Sequence, residues 1–152
     1  MNKRRVKVTS IEQSDKLVEL GLDVSTADMS YVMEPFIKDE KLHYLNGYEL
    51  SIMDYDTSKD IIDKHFNQFK PFADAKPAWT LTALLDAMPG SVFDNQIGSG
   101  GLVMYKTMDN KKFRFAYHGI YTTEFYENQI DAAMELIEWL FENGYLKKNK
   151  MA

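Results

Sequence analysis

The sequence predicts an α+β fold: an antiparallel sheet of about four or five strands with about three or four helices packed mainly on one face. Two observations carry this. Apolar residues recur at helical spacing near both ends of the chain and in its middle, while two-residue alternation flanks turn residues in hairpin-like pairs. Helices and single strands do not alternate regularly, as a doubly wound fold would require, and no internal repeat is visible. With 152 residues, 45% hydrophobic and 27% charged, the chain can bury one core, so residues 1–152 are expected to form a single domain.

The first helix is announced by Ser10, whose hydroxyl can cap the first turn while Gln13 reaches back to it. Ile11, Leu17 and Val18 share a face, Gly21 closes the helix, and Leu22 packs back beneath it. Residues 27–33 read as a short strand, with Met29, Tyr31 and Met33 alternating against Ser30 and Val32 before Pro35. Residues 41–53 read as a hairpin around Asn46-Gly47, the pair best suited to a turn with two positive φ angles.

From Thr57 the stripe Ile61, Ile62, His65, Phe66, Phe69 predicts a helix over 57–70, capped by Thr57 or Ser58 and ended by Pro71. Residues 72–77 read as a connection. A short helix follows, capped by Thr80, with Trp79 stapled onto Leu84 and Leu81, Leu84, Leu85 and Met88 as its buried stripe. Pro89-Gly90 stops it. The strongest strand signal is the pair 102–107 and 112–118 around Asp109-Asn110, where Phe113, Phe115 and Tyr117 alternate with Lys112, Arg114 and Ala116. The last helix starts near Asn128 and runs to Asn143 before Gly144, with Ile130, Ala133, Met134, Ile137, Leu140 and Phe141 on one side.

The net charge of −5 conceals an asymmetry. Lys3, Arg4, Arg5 and Lys7 crowd one end and Lys147, Lys148 and Lys150 the other, so residues 1–8 and 147–152 read as flexible basic tails around a strongly acidic body. Such a body repels phosphate backbones, which argues against nucleic-acid binding. No apolar run is long enough to span a membrane, and no apolar segment follows the basic N-terminus as in a signal peptide, so a cytoplasmic protein is expected. The absence of cysteine removes disulfides, thiolate metal sites and cysteine nucleophiles.

Three segments carry a resemblance: 9–23 continuing through Ala27-Asp28-Met29, then 77–89 around Trp79, and 130–140 around Trp139. Together they resemble uncharacterised short proteins of Bacteroides-like gut bacteria and their phages or mobile elements. That family has no assigned activity. The resemblance implies a bacterial cytoplasm and a mobile-element origin, and it brings no catalytic residue.

Candidate chemistry is sparse. His43, His65 and His118 lack the spacing by which one helix offers two metal ligands, so no metal site is expected. The glycine-rich stretch 96–101 leads into a strand rather than a helix and reads as a flexible connection, not a phosphate cradle. Glu127, Asp131, Glu135, Glu138 and Glu142 form one stripe of the last helix, read as a solvated face, with Trp139 packing at its edge. Asp54 and Asp56 flank Tyr55 at a solvent-facing strand end, where desolvation cannot separate an acid from a base. No serine sits in a nucleophile motif. No catalytic residue and no cofactor is expected.

The leading expectation is a non-catalytic accessory protein that works through a protein partner or its own copy, because catalytic motifs are missing while Tyr, Phe and Met are abundant. The rival is a small-molecule or nucleotide-binding protein, with or without hydrolysis, whose pocket is built from Trp79, Tyr117, His118 and Tyr121. A third reading is an acidic nucleic-acid mimic.

Overall fold

The computed structural model describes residues 7–43, 47–70 and 72–148. In chain order the elements are α1 (Ile11–Leu20), β1 (Met29–Met33), β2 (Phe36–Lys38), β3 (Lys41–His43), β4 (Glu49–Ser51), α2 (Tyr55–His65), β5 (Asp74–Ala78), α3 (Leu81–Ala87), β6 (Ser91–Asp94), β7 (Gly98–Lys106), β8 (Phe113–Tyr117), β9 (Tyr121–Thr122) and α4 (Gln129–Glu142). The fold is α+β and all its strand pairs are antiparallel, but the strands form three sheets rather than one: β4-β1-β5, β2-β3 and β6-β7-β8-β9.

Helix α1 has the capping box its sequence predicts. The Gln13 amide donates to Ser10 Oγ at 3.1 Å and the Ser10 amide to Gln13 Oε1 at 2.9 Å. Gly21 closes the helix at φ 102°, and Leu22 is buried under it. Ser14 takes the inward place beside Leu17, leaving Val18 exposed. Its hydroxyl shares a 2.8 Å hydrogen bond with Thr9. Residues 7 and 8, expected to belong to a tail, are engaged: Val8 bridges Thr80, and the Lys7 ammonium donates to Gln129 Oε1 at 2.8 Å. The rest of that tail and residues 149–152 lie outside the described residues.

In the three-stranded sheet, β5 occupies what the sequence presents as a connection. Pro77 is tolerated because β5 lies at the edge, where no further strand among the described residues needs the missing N–H. Helices cover both faces of this sheet, not one. On one face Ser30 shares a 2.7 Å hydrogen bond with Ser58 of α2, and Val32 and Ala75 pack with Ile62. On the other, Tyr31 donates to the Thr9 carbonyl at 2.6 Å and Lys76 pairs with Asp15 of α1 at 3.1 Å.

Helix α2 begins and ends earlier than its apolar stripe suggests. Asp54 caps it, accepting from the Thr57 amide at 3.0 Å, and a turn of 3-10 helix, Asn67–Phe69, follows it. Pro71, the expected terminator, lies outside the described residues. The expected hairpin over 41–53 does not form: β3 pairs back onto β2 and β4 pairs with β1. The chain turns at Asp39 and Glu40, with φ of 53° and 64°. Asn46, the first residue of the expected turn, lies outside the described residues.

Strand β7 of the four-stranded sheet starts where a flexible connection was expected. Gly98, Ser99, Gly100 and Gly101 pair with Asp94, Phe93, Val92 and Ser91, and the same strand continues onto β8. A Cβ at Gly100 would collide with the His118 carbonyl oxygen, so this strand needs glycine there. Helix α4 lies on β8 and also meets α1 and α3. Its buried set therefore includes Ala132 and Leu136 besides the predicted Ile130, Ala133, Met134, Ile137 and Leu140.

Candidate functional site

The four residues expected to line a pocket have different fates. Trp79 is fully buried, its indole N–H donating to Thr26 Oγ1 at 2.9 Å and its backbone N–H to Thr9 Oγ1 at 3.1 Å. Tyr117 is also fully buried and donates to the Pro89 carbonyl at 2.7 Å; burial pushes its phenol pKa up. Tyr121 stacks on Trp139 at 4.6 Å, and the same indole stacks on Tyr117 at 5.9 Å and Tyr145 at 5.2 Å. These rings pack against one another. His118 is exposed in the turn between β8 and β9, its backbone N–H bound to the Gly101 carbonyl.

The acidic stripe of α4 is not simply a solvated face. Asp131 accepts from Gln13 at 2.6 Å, Glu138 pairs with Lys16 at 2.6 Å, and Glu135 accepts from Tyr121 Oη at 2.6 Å, Tyr126 Oη at 2.8 Å and the Glu124 amide at 3.1 Å. Burial works to raise the Glu135 pKa, but those three donors outweigh it and hold the carboxyl below its ordinary value. Conversely Tyr126 is pushed up to about 12, by its hydrogen bond to Glu135 and then by burial. These carboxylates fasten α4 to α1, to β9 and to the segment after β9.

The other sequence candidates serve local structure. His43 stacks on Phe36 at 5.4 Å, His65 is exposed in the last turn of α2, and Asp54 caps that helix. Among the described residues no group of three or more His, Asp and Glu is arranged to hold a metal ion. No helix among them is long and apolar enough to cross a membrane.

A concavity of about 680 Å³ opens instead between α2 and the β4 side of the three-stranded sheet. Its origin is geometric. Helix α2 packs on β1 and β5, so the same face of β4 is left largely uncovered. Glu49 and Ser51, which pair with Val32 and Ser30, line that gap. Val32, Ile61, Ile62 and Phe66 supply apolar walls, Ile52 and Met53 lie at its end, and Glu34 and Glu49 supply its carboxylates.

Exposed apolar side chains occur both at this groove and on the hairpin that precedes β4 in the chain. Ile52 is 88% exposed and Ile37 77%, with Phe36, Leu42, Leu50 and Met53 also exposed. The hairpin β2-β3 makes its principal contacts within itself. Sequence reasoning missed this surface because short apolar pairs, such as Phe36-Ile37 and Ile52-Met53, give no periodic signal of the face they occupy.

No protein-family model matches the chain, and no curated protein and no solved structure matches it.

Proposed function

We propose that the protein is a non-catalytic accessory factor that acts by binding another protein through the surface of residues 36–43 and 47–53. The observation that carries this reading is the concentration there of exposed Phe36, Ile37, Leu42, Leu50, Ile52 and Met53. An exposed apolar side chain is ordinary when isolated, whereas several gathered on one stretch of chain point to an interaction surface. For the two most exposed, Ile37 and Ile52, burial on a partner is worth up to about 1.5–3 kcal/mol each before the costs of association. The small-molecule reading draws little support, since Trp79 and Tyr117 have no exposed surface to offer a ligand. The nucleic-acid-mimic reading draws less, since Asp131, Glu135 and Glu138 are engaged within the chain. We place this activity in a bacterial cytoplasm, the setting the sequence resemblance implies.

The test is affinity capture from a lysate of the encoding organism with the tagged full chain and with the triple variant Phe36→Asp, Ile37→Asp, Leu42→Asp. These positions are exposed, so the variant should retain the wild-type circular dichroism and melting temperature. At least one protein captured by the wild type should fall about tenfold or more with the variant, as loss of an interface anchor predicts. Identical captured sets from two equally folded proteins would overturn the reading.

A further inference from the structure

We propose that the groove between α2 and β4 receives an extended, cationic segment of the partner protein, which adds a strand to the outer edge of β4. This rests on the protein-contact reading and names what the site recognises. Three observations lead to it. First, β4 ends its sheet: in the order β4-β1-β5 its outer edge carries no strand among the described residues, leaving backbone donors and acceptors for an incoming chain.

Second, the groove lies directly beside that edge. A strand added there would point every second side chain toward the α2 face, where Ile61, Ile62 and Phe66 line the gap, and the intervening ones toward the opposite face. The segment therefore alternates, with apolar residues on the groove side.

Third, the charge of the groove selects the partner's sign. Glu34 and Glu49 line it and make no ion pair or side-chain hydrogen bond among the described residues, while no Lys, Arg or His lines it. The cations of α2 are already paired, Lys59 with Asp63 and Lys64 with Asp60. A Lys or Arg two residues beyond the apolar ones, on the same face of the added strand, meets these free carboxylates. A second copy of this chain docked groove to groove would instead bring those carboxylates against their own kind, which association disfavours.

The experiment is selection of a displayed library of random short peptides on the full chain, followed by fluorescence anisotropy with the peptides recovered. The expected result is enrichment of sequences that carry apolar residues at every second position and a Lys or Arg in that same register, on the same face. Their affinity should fall about tenfold or more for Glu34→Lys with Glu49→Lys, and should weaken with added salt. N-methylation of the peptide amides that face β4 should abolish binding, since it removes the strand-pairing donors without changing charge.

Recovery of no binder, recovery of neutral or acidic peptides, or binding indifferent to the two lysine substitutions would overturn the proposal. So would concentration-dependent self-association abolished by those substitutions, or displacement of the peptide by a small metabolite held in the groove. The hairpin triple variant separates the two levels. If it loses its captured partner while no cationic peptide is selected, strand addition falls and the protein-contact reading stands. If it captures the wild-type set and no peptide is selected, both fall.

Discussion

Glu135 shows how much one side chain can change meaning between a helical wheel and a folded molecule. In the sequence it is one acid among five on a helix face; in the structure it accepts from two tyrosines and one amide. Its pKa is depressed, so the stability it contributes is present above the ordinary glutamate value of about 4.3 and is lost as pH falls through the lower, folded value. Its phenol partners behave oppositely: their raised values favour the native state below about pH 10 and cease to do so as pH climbs toward the folded value. Glu135→Gln should therefore flatten the acid limb of a stability-against-pH curve measured by urea unfolding, and should cost about 1–3 kcal/mol at neutral pH. Gly100 makes a second residue-scale case. Its missing side chain lets β7 pass close under the His118 carbonyl and Ile120, so Gly100→Ala should lower stability by about 1–3 kcal/mol in the same assay. Gly101→Ala, which meets almost nothing, is the matched control.

Among the elements, the β2-β3 hairpin is the least expected from local sequence. Its turn places Asp39 and Glu40 at positive φ, a conformation that Asn-Gly adopts far more readily. The chain does contain Asn46-Gly47, which drew the expected hairpin there. Changing Asp39→Asn with Glu40→Gly should relieve the strain at both positions and slow amide exchange across 36–43, measured by mass spectrometry; unchanged exchange would show that the turn does not limit the hairpin. Strand β5 was missed for a different reason. Its Ala75, Pro77 and Ala78 lack the branched or aromatic side chains that mark strands, yet their small size lets α1 and α2 approach the sheet closely. By contrast α1, α3, α4 and the β7-β8 pair were legible, because their caps, stripes and turn lie in contiguous sequence.

Across the whole molecule, the buried apolar residues divide into a large cluster around α4, β8 and α3 and a small one of Ile62, Ala73 and Ala75 beneath α2. Local stability follows buried contact, so native-state hydrogen exchange should find α4 and β8 slowest and β2, β3 and β4 fastest. Uniform protection would contradict this division. These least supported strands also carry exposed Phe36, Ile37, Leu42 and Leu50, and β4 lines the groove. A segment that binds there should accordingly slow exchange in β4 most, which gives the proposed strand addition a readout at the scale of the whole chain.

Of the candidate site, little was legible. Trp79 and Tyr117 were singled out as aromatic, and aromatic composition does not separate a pocket wall from a core. The sequence by itself determined the α+β class, the ends of α1 and α3, the start of α4 and the turn at Asn110, because capping, apolar periodicity and turn chemistry act over a few neighbouring residues. Only the tertiary structure decided that β4 pairs with β1, that three carboxylates of α4 bind their own chain, and that α2 stops short of β4. Each depends on which surfaces meet across many intervening residues, and local free energies do not encode that meeting until the chain has packed.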